Sequence, residues 1–477
     1  MSSRDLLRRA AEIASDYLES LPERPVGSKA TVEEMRRALG GALPEAGENA
    51  DSVLEILARA ADPGIVATAG PRYFGFVVGG TLPVTVAADW LTSTWDQNAG
   101  LFVLSPANSA AEETAGGWLR DLFGLPDGAS VGFVTGCQAA NFAALAAARH
   151  ALSQRFGWDV EARGLYGGPE IEVVVGAEAH VTVHTALQML GLGRERVHRV
   201  AVDGQGRMLP ADLRATLAPL AGRPTLVCAQ AGNINTGAFD PLAEIADLTA
   251  PHGAWLHVDG AFGLWAGTSP ELRHHVRGLE LADSWATDAH KWLNVPYDSG
   301  LVFCAHPEAH RAALTAHADY LEQTAGKERD PFEWAPEFSR RARGFTVWAA
   351  LRHLGQRGVA DLVERCCRHA RRFAELLATP RRVEILNEVV LNQVLVRFTP
   401  AGEGPGESGG PGADAAAGDE YTREVIRRVQ ADGTCWLSGT TWRGRAAMRI
   451  SVSNWSTTES DVDRSAAAIR RAAGLPG

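Results

Sequence analysis

The sequence has few lysines, few cysteines and no excess of positive charge. Only three of its 46 basic residues are lysines, at Lys29, Lys291 and Lys327, so chemistry that needs a lysine amine has three candidates. The six cysteines among 477 residues never form a CxxC pair, which argues against a disulfide scaffold or a zinc framework and favours free thiols in a reducing compartment. The net charge of −11 argues against nucleic acid as a partner.

Long apolar runs are also missing. No run approaches the roughly 20 residues that a membrane-spanning helix needs. The N-terminal stretch MSSRDLLRRAAEIASDYLES predicts an amphipathic helix and lacks the apolar segment of a signal peptide. We therefore expect a cytoplasmic protein without membrane association. The hydrophobic fraction of 45% and the charged fraction of 22% are typical of a globular protein.

Three regions of the chain differ in their sequence pattern. Residues 1–105 predict helices followed by an aromatic, Gly-rich segment that packs over other parts of the protein. Residues 106–340 alternate short apolar runs with helical stretches, which favours a large α/β domain with a mostly parallel sheet and helices on both faces. Residues 341–477 predict a smaller α+β domain, and its Gly-, Pro- and Ala-rich stretch 401–420 predicts a flexible loop.

Two charged residues of the large domain follow predicted strands. Lys291, in DAHKW, has apolar and aromatic neighbours, and burial there would lower the pKa of its ammonium and free the amine as a nucleophile. The alternative for Lys291 is a surface lysine at the end of a strand. Asp259, in WLHVDGAFG, would need a cationic partner if buried, such as a protonated pyridine nitrogen, although an aspartate that caps a turn fits this fragment equally.

A histidine and a tight turn complete this set. The imidazole of His180, in VVVGAEAH, could stack on an aromatic cofactor, whereas HVTVH lacks the glutamate of the zinc motif HExxH, so we expect no metal. Gly136, Cys137 and Gln138 predict a turn into a helix whose first N–H groups can bind a phosphate. The turn is neither a P-loop nor GxGxxG, which favours a single phosphate. Together these features suit pyridoxal 5′-phosphate (PLP).

On these motifs the chain resembles the group II PLP-dependent amino-acid decarboxylases, which include aromatic-L-amino-acid, tyrosine and glutamate decarboxylases. AEAHVTV, HVDGAFG and DAHKW carry the resemblance, supported by GNINTGAFDP and RISVSNWSTTESDVD. The resemblance implies the aspartate-aminotransferase fold, fold type I of the PLP-dependent transferases, with PLP as cofactor. It also implies a homodimer with active sites at the subunit interface.

The activity that the resemblance implies is decarboxylation of an L-amino acid to an amine and CO2 through a Schiff base on Lys291. The aromatic residues between positions 73 and 102 favour an aromatic or apolar amino acid over glutamate, although Arg72 could hold an acidic side chain. Asp259 would pair with the pyridine nitrogen, and His180 would stack on the ring. The other cofactor-binding residues implied are Gly136, Cys137, Gln138, Asn233, Ala261, Asp288, His290 and Ser339, and the substrate pocket would be lined by Phe74, Phe76, Val77 and Gly79.

The chain departs from the family pattern at the phosphate turn and in a loop. Cys137 and Gln138 stand where many relatives have Gly-Ser or Gly-Thr. Pro331, followed by Phe332, stands where aromatic-amino-acid decarboxylases carry a loop tyrosine that protonates the α-carbon; His317 and Tyr320 lie upstream and could substitute. Relatives without that tyrosine can react with oxygen and give an aldehyde, which is the alternative product here. A catalytically silent PLP-binding module is a further alternative.

Overall fold

The computed structural model describes residues 2–315, 328–400 and 411–476, without the side chains of residues 411–415. The chain forms two compact units, which we call the terminal unit (Met1–Val78, Arg372–Ile385 and Val396–Gly477) and the sheet unit (Gly79–Arg371 and Leu386–Leu395). These boundaries do not coincide with the expected ones at residues 105 and 340. Composition and periodicity mark changes of secondary structure, whereas a compact unit is set by packing between distant segments.

Helices make up much of both units. Ser2, Thr31 and Thr458 each begin a helix with a capping box, in which the cap hydroxyl and an acidic side chain three residues later satisfy backbone N–H groups. The helices of the described residues are α1 (Ser3–Ser20), α2 (Val32–Leu39), α3 (Ala50–Ala61), α4 (Pro83–Trp95), α5 (Pro106–Phe123), α6 (Cys137–Gln154), α7 (Val160–Arg163), α8 (Val181–Met189), α9 (Pro210–Leu217), α10 (Leu242–Thr249), α11 (Ala289–Trp292), α12 (Pro307–Leu314), α13 (Gly344–Leu377), α14 (Pro411–Asp432) and α15 (Glu459–Ala472).

A seven-stranded sheet forms the centre of the sheet unit. Its strands are β1 (Ser130–Val134), β2 (Glu172–Gly176), β3 (Val197–Val200), β4 (Thr225–Gln230), β5 (Trp255–Asp259), β6 (Ser284–Asp288) and β7 (Gly300–Cys304). They are ordered β1-β7-β6-β5-β4-β2-β3, and β7 runs antiparallel to both of its neighbours while the remaining pairs are parallel. All strands except β7 therefore end at the same edge, which confirms the mostly parallel α/β sheet expected from the sequence.

The core of the sheet unit lies between the central helix α6 and the buried strands of the sheet. Every residue of β2, β5, β6 and β7 is buried, as expected for strands covered on both faces. Helix α6 packs against β5, β6 and β7 through small side chains, which let its axis lie close to the sheet. The alanines of this contact are fully buried: Ala140, Ala143, Ala144 and Ala147.

The second sheet has four strands in the order β10-β11-β9-β8, namely β8 (Val383–Ile385), β9 (Gln393–Phe398), β10 (Ser438–Trp442) and β11 (Arg445–Ser451). The expectation of a flexible loop over 401–420 is wrong for 411–420, where α14 has already begun. The run ADAAAGDE has high intrinsic helix propensity, which outweighs the glycines around it. Residues 401–410 lie outside the described part. Among the described residues, no helix has the length and apolar character required to cross a membrane.

Candidate active site

The sequence-predicted residues meet at the carboxyl-terminal edge of the large sheet. Asp259 is the last residue of β5, and Lys291 lies in α11, directly after β6. His180 follows β2 as the N-cap of α8, and Gly136 follows β1 as the N-cap of α6. Ligands of open α/β sheets bind at this edge, because the loops after parallel strands converge there.

Lys291 is paired with a carboxylate. Its Nζ lies 2.9 Å from Oδ2 of Asp288, and the side chain also lies above the ring of Phe262, at 5.9 Å from the centroid. Burial is the largest single effect and disfavours the ammonium, but the charge of Asp288, its hydrogen bond to Nζ and the charge of Asp259 act against burial, and the net result is a pKa of Lys291 above its usual value. The expectation that apolar neighbours lower this pKa is therefore wrong, because the sequence did not reveal which carboxylate the lysine contacts.

Asp259 receives donors on both of its carboxylate oxygens. Oδ1 accepts from Cys137 Sγ at 3.4 Å and from the backbone N–H of Ala261 at 3.2 Å, while Oδ2 accepts from Asn141 Nδ2 at 3.3 Å. Burial and the charges of Asp259 and Asp288 raise the pKa of the Cys137 thiol well above its usual value, so the thiol stays protonated and donates. The carboxylate is thereby fixed in one orientation at the end of β5.

The N-terminus of α6 already binds an anionic group. The backbone N–H of Cys137 donates to Oδ1 of Asp288 at 2.6 Å. A Cβ atom on Gly136 would lie 3.3 Å from Cε1 of His290 and 3.4 Å from Oδ1 of Asp288, so only glycine leaves this space open. Gln138, the next residue of the turn, is exposed. The first N–H group of α6 thus donates to a carboxylate, as helix N-termini commonly do.

His290 and Asn233 are oriented by neighbouring groups. Nδ1 of His290 accepts from the Ser299 N–H at 3.1 Å, and its Nε2 faces Oδ1 of Asp288 at 3.3 Å. Burial lowers the pKa of His290, so the ring is neutral, and because Nδ1 accepts, its hydrogen lies on Nε2, which faces Asp288. Asn233 Nδ2 donates to Glu178 Oε2 at 3.1 Å, and Glu178 lines a small cavity together with His180 and Asp259.

His180 is held by the first turn of α8. Its Nδ1 lies 2.8 Å from the hydroxyl of Thr182 and accepts from the Thr182 N–H at 3.4 Å. The same hydroxyl accepts from Asn141 Nδ2 at 3.4 Å. The imidazole therefore has a defined orientation at the wall of the cavity that Asp259 also lines.

The substrate residues implied by the resemblance fall in both units. Phe74, buried, packs edge-on against Phe373, and Val77 is fully buried, both within the terminal unit. Phe76, in the same unit, is 56% exposed beside Trp436. Gly79 belongs to the sheet unit, where a Cβ atom would lie 1.8 Å from the Lys291 carbonyl oxygen, so its glycine is required for packing against the lysine turn.

Two other sequence-predicted residues take different positions. Arg72 is buried in the terminal unit and donates to the backbone carbonyls of Pro22 and Thr434, which is a structural use of its guanidinium. Ser339 is exposed and accepts from Asn98 Nδ2 at 3.4 Å. Among the described residues, no hydrogen bond joins Ser339 to Lys291, Asp288 or Asp259.

Of the loop residues His317, Tyr320, Pro331 and Phe332, the structure describes the last two. His317 and Tyr320 lie outside the described residues. Pro331 and Phe332 form a buried 3-10 turn, and the Phe332 N–H donates to the carbonyl of Gly100 at 2.9 Å.

Sequence reasoning missed two asparagines of the site. Asn141 lies on α6, one turn beyond the phosphate turn, and contacts Asp259. Asn294 has a positive φ of 54° and receives the Gly80 N–H on its Oδ1 at 2.7 Å, so it ties the segment around Gly79 to the lysine turn. Asn141 lies in the stretch NFAALAAAR and Asn294 in KWLNVPYD, where an asparagine inside a helix or at a tight turn was the available signal.

A half-buried lysine paired with a carboxylate, a second carboxylate fixed at the neighbouring strand end and a helix N-terminus directed at the same cluster define a class of enzyme. Enzymes of this class carry a covalently held, phosphate-bearing aldehyde cofactor. The family described as "Pyridoxal-dependent decarboxylase conserved domain" matches residues 33–399. The chain belongs to this family: it is a PLP-dependent amino-acid decarboxylase.

Three curated relatives illustrate the range of the family. An aromatic-L-amino-acid decarboxylase of Bacillus atrophaeus is 27% identical over 96% of this chain and 92% of that protein. The acidic amino acid decarboxylase GADL1 of Bos taurus is 31% identical over 75% of this chain and 68% of that protein. A 4-hydroxyphenylacetaldehyde synthase of Rhodiola rosea is 26% identical over 95% of this chain and 91% of that protein.

A crystal structure of Oryza sativa TDC with PLP and tryptamine superposes with a TM-score of 0.90. It is 25% identical in sequence, and the match covers 99% of this chain and 97% of that one. Fold type I and PLP as cofactor, both implied by the motifs, are confirmed.

The residues present fit this cofactor. The N-terminus of α6 already donates a hydrogen bond to the Asp288 carboxylate, so it can donate to a phosphate, and Gly136 leaves room for one. Asp259, buried and held in one orientation by its donors, can face a ring nitrogen. Lys291 contacts Asp288, which also accepts the first N–H of α6.

Proposed function

We propose that the protein converts an aromatic or apolar L-amino acid to its amine and CO2, with Lys291 as the residue that holds the cofactor covalently. The observation that carries this assignment is the linkage of Lys291 to Asp259 through two intervening residues. Lys291 contacts Asp288, Asp288 accepts the Cys137 N–H, and the Cys137 thiol contacts Asp259. The charge of Asp259 also contributes to the raised pKa of Lys291, so both groups act in one electrostatic environment.

Bound PLP supplies an electron sink for the pair released when the α-carboxylate leaves as CO2. The chain's own residues would prepare that step. Asp259, held by donors from Cys137, Ala261 and Asn141, would keep a proton on the ring nitrogen. Asp288 would take up or return a proton at Nζ of Lys291, since the two atoms lie 2.9 Å apart.

The other predicted residues would bind and orient the cofactor. The N–H groups after Gly136 would bind the phosphate, with His290 donating beside them, and His180 would lie against one ring face with Ala261 on the other. Asn233 would act near O3′, Gln138 would belong to the turn that binds the phosphate, and Ser339 would lie where a neighbouring subunit approaches the phosphate. These roles follow from the family resemblance, and the polar contacts at the strand ends support them.

The experiment that tests the assignment compares Lys291→Ala with Lys29→Ala, because Lys29 is an exposed lysine. Lys291→Ala is expected to abolish CO2 release and the visible absorption of bound cofactor, since no amine remains to hold the aldehyde. Lys29→Ala should match the wild type, and unchanged circular dichroism should show that both variants fold. A Lys291→Ala protein with borohydride-reducible cofactor would refute the assignment.

The substrate class rests on the relatives and on the aromatic residues between positions 73 and 102. Three relatives that match 94–96% of the chain are named as aromatic-L-amino-acid, tryptophan and tyrosine decarboxylases, whereas the relative named for acidic amino acids matches 75%. Arg72, the cation that could have held an acidic substrate, is committed to backbone carbonyls. CO2 release should be measured over a panel of aromatic, apolar and acidic L-amino acids. Turnover confined to acidic members would overturn this choice.

An aldehyde is the second candidate product. It is favoured by Pro331 at the position of the loop tyrosine and by the relative named as an aldehyde synthase. Aerobic turnover with equal amounts of aldehyde and hydrogen peroxide, and no amine, would establish this alternative. Amine without peroxide would establish the simple decarboxylase.

The assembly and the cellular location complete the proposal. An apolar groove in the sheet unit, with Leu91, Trp95 and Trp348 among its exposed side chains, would be covered in a homodimer. Light scattering on the purified protein tests this, and a monomer would contradict it. All six cysteines are free and buried, which supports a reducing cytoplasm, to be tested by fractionation of the producing cells.

A further inference from the structure

Strand β5 carries a line of polar side chains behind Asp259. Trp255, His257 and Asp259 alternate along the strand, so they share one face of the sheet. Ser284 on β6 pairs in register with His257, and Asn141 of α6 covers the same face. Trp255, His257, Ser284 and Asn141 are each 0% exposed.

These side chains form one continuous series of hydrogen bonds. Trp255 Nε1 lies 2.9 Å from Ser284 Oγ, which lies 2.9 Å from His257 Nδ1. His257 Nε2 lies 2.9 Å from Asn141 Oδ1, and Asn141 Nδ2 lies 3.3 Å from Asp259 Oδ2. The series therefore crosses from the opposite end of β5 to the carboxylate proposed to face the cofactor.

The chemistry of the two ends fixes the direction of every bond. An indole N–H can only donate, and a carboxylate can only accept. Asp259 must receive the amide N–H of Asn141, so Asn141 Oδ1 faces His257 Nε2 and the hydrogen of the neutral imidazole lies on Nε2. Ser284, which accepts from Trp255, reinforces this tautomer by donating its own hydrogen to the bare Nδ1.

Asn141 is the branch point of the series. Its amide nitrogen carries two hydrogens, and the second one points to Thr182 Oγ1 at 3.4 Å. Thr182 in turn holds Nδ1 of His180 at 2.8 Å. One side chain therefore contacts Asp259 directly and His180 through one hydroxyl.

We propose that the series from Trp255 to Asn141 is a one-way hydrogen-bond relay that positions Asp259 and His180, with Asn141 as the positioning residue. The proposal rests on the role assigned to Asp259 in the proposed function. Without the relay, the amide of Asn141 could turn over at no steric cost and place its oxygen against the carboxylate, where two acceptors would repel. Burial lowers the pKa of His257 to about 4, which keeps the ring neutral at pH 7 with the one acceptor nitrogen that the relay needs.

The relay makes a prediction about the tautomer of one histidine, independent of turnover. In 15N-histidine-labelled protein without cofactor, the His257 signal, assigned as the one lost in His257→Gln, should show hydrogen on Nε2 and a bare Nδ1. The same tautomer should persist after PLP is added. A His257 ring with its hydrogen on Nδ1 would reverse both hydrogen bonds of that ring and overturn the proposal.

A substitution at the branch point tests the consequence for the reaction. Asn141→Leu keeps a similar volume but removes both donors, so kcat and the affinity for PLP should fall roughly tenfold or more, the size expected for losing a hydrogen bond to a charged group. KM should change little, since Asn141 does not face the substrate. Asn141→Leu with the kcat and PLP affinity of the wild type would overturn the proposal.

Two serine variants, one inside the relay and one outside it, test whether the relay sets the His257 tautomer. Ser284→Ala, a smaller change, should give a mixture of His257 tautomers, while Ser153→Ala, at a buried serine near the end of α6, should leave the wild-type tautomer. A single Nε2–H tautomer in Ser284→Ala would also count against the relay.

The variant Asp259→Ala separates the relay from the proposed function. If Asp259→Ala kept normal turnover, the proposed function would fail. If Asp259→Ala were inactive and Asn141→Leu normal, the relay alone would fail.

Discussion

The ammonium of Lys291 lies 2.9 Å from Oδ2 of Asp288, the last residue of β6 and three positions earlier in the chain. The other oxygen of that carboxylate accepts the Cys137 N–H at the start of α6. Asp288 therefore links the amine that would hold the cofactor to the helix end that would hold its phosphate. It both raises the pKa of the amine and occupies the anion site.

Replacement of Asp288 by asparagine should lower the pKa of Lys291. The Asp288 charge raises this pKa against the opposing effect of burial, so burial dominates once the charge is gone. The amine then loses its proton at a lower pH, and the pH at which PLP attaches, followed by visible absorbance, should shift downward. Asp247→Asn, at an exposed aspartate of α10, is the control. An unchanged pH profile in Asp288→Asn would contradict the pairing seen here.

Gly136 offers a test of the phosphate site. An added methyl group would lie 3.3 Å from Cε1 of His290 and fill the space beside the first N–H groups of α6. Gly136→Ala should weaken PLP binding by roughly tenfold, equivalent to about 1.4 kcal/mol, measured by fluorescence titration. Gly117→Ala, where an added Cβ meets nothing within 4 Å, should bind PLP as the wild type does. Equal affinities in the two variants would place the phosphate elsewhere.

The sequence predicted the parts of the site that depend on position along the chain. Lys291, Asp259 and His180 each follow an apolar run, and parallel strands bring such positions to one edge, as the structure shows. Which residues touch was not predictable, because that depends on the register of β5 with β6 and on the rotation of α6. The contact of Asn141 with Asp259 arises in this way, whereas the pairing of Lys291 with Asp288 depends on the local turn from β6 into α11.

The composition of a segment predicted its structure less well than the chemistry of single residues predicted the site. The Gly- and Pro-rich character of 401–420 suggested a loop, yet α14 begins at Pro411 because local alanines favour a helix. Likewise, the change of pattern near residue 105 did not mark a boundary of packing, since residues 79–105 belong to the sheet unit.

A buried carboxylate holds two guanidinium groups in the sheet unit, and its removal should destabilise that unit. Glu112, fully buried, accepts from Arg340 Nη2 at 2.8 Å, from Arg329 Nη1 at 3.1 Å and from Asn108 Nδ2 at 3.0 Å. Glu112→Gln would leave the buried Arg340 and the half-buried Arg329 without their counter-charge. The variant should lose roughly 3–5 kcal/mol in the free energy of unfolding by urea.

A surface pair provides the matched control for Glu112. Asp463 forms a bidentate pair with Arg372 on exposed side chains. Asp463→Asn should therefore cost no more than about 1 kcal/mol. Similar losses for Glu112→Gln and Asp463→Asn would show that the buried network contributes no more than a solvated one.

The buried His257 should make the folded protein sensitive to acid. Burial lowers its pKa to about 4, whereas an unfolded histidine has a pKa near 6.5. Above pH 6.5 the ring is neutral in both states and contributes nothing. As the pH falls from about 6.5 to about 4 the unfolded chain binds a proton that the folded chain does not, so up to about 3 kcal/mol of stability is lost. Urea unfolding from pH 7 to pH 4 should show a shallower loss for His257→Gln than for the wild type. The control His353→Gln, at an exposed histidine, should keep the wild-type slope, and the same slope in all three proteins would mean that His257 titrates normally.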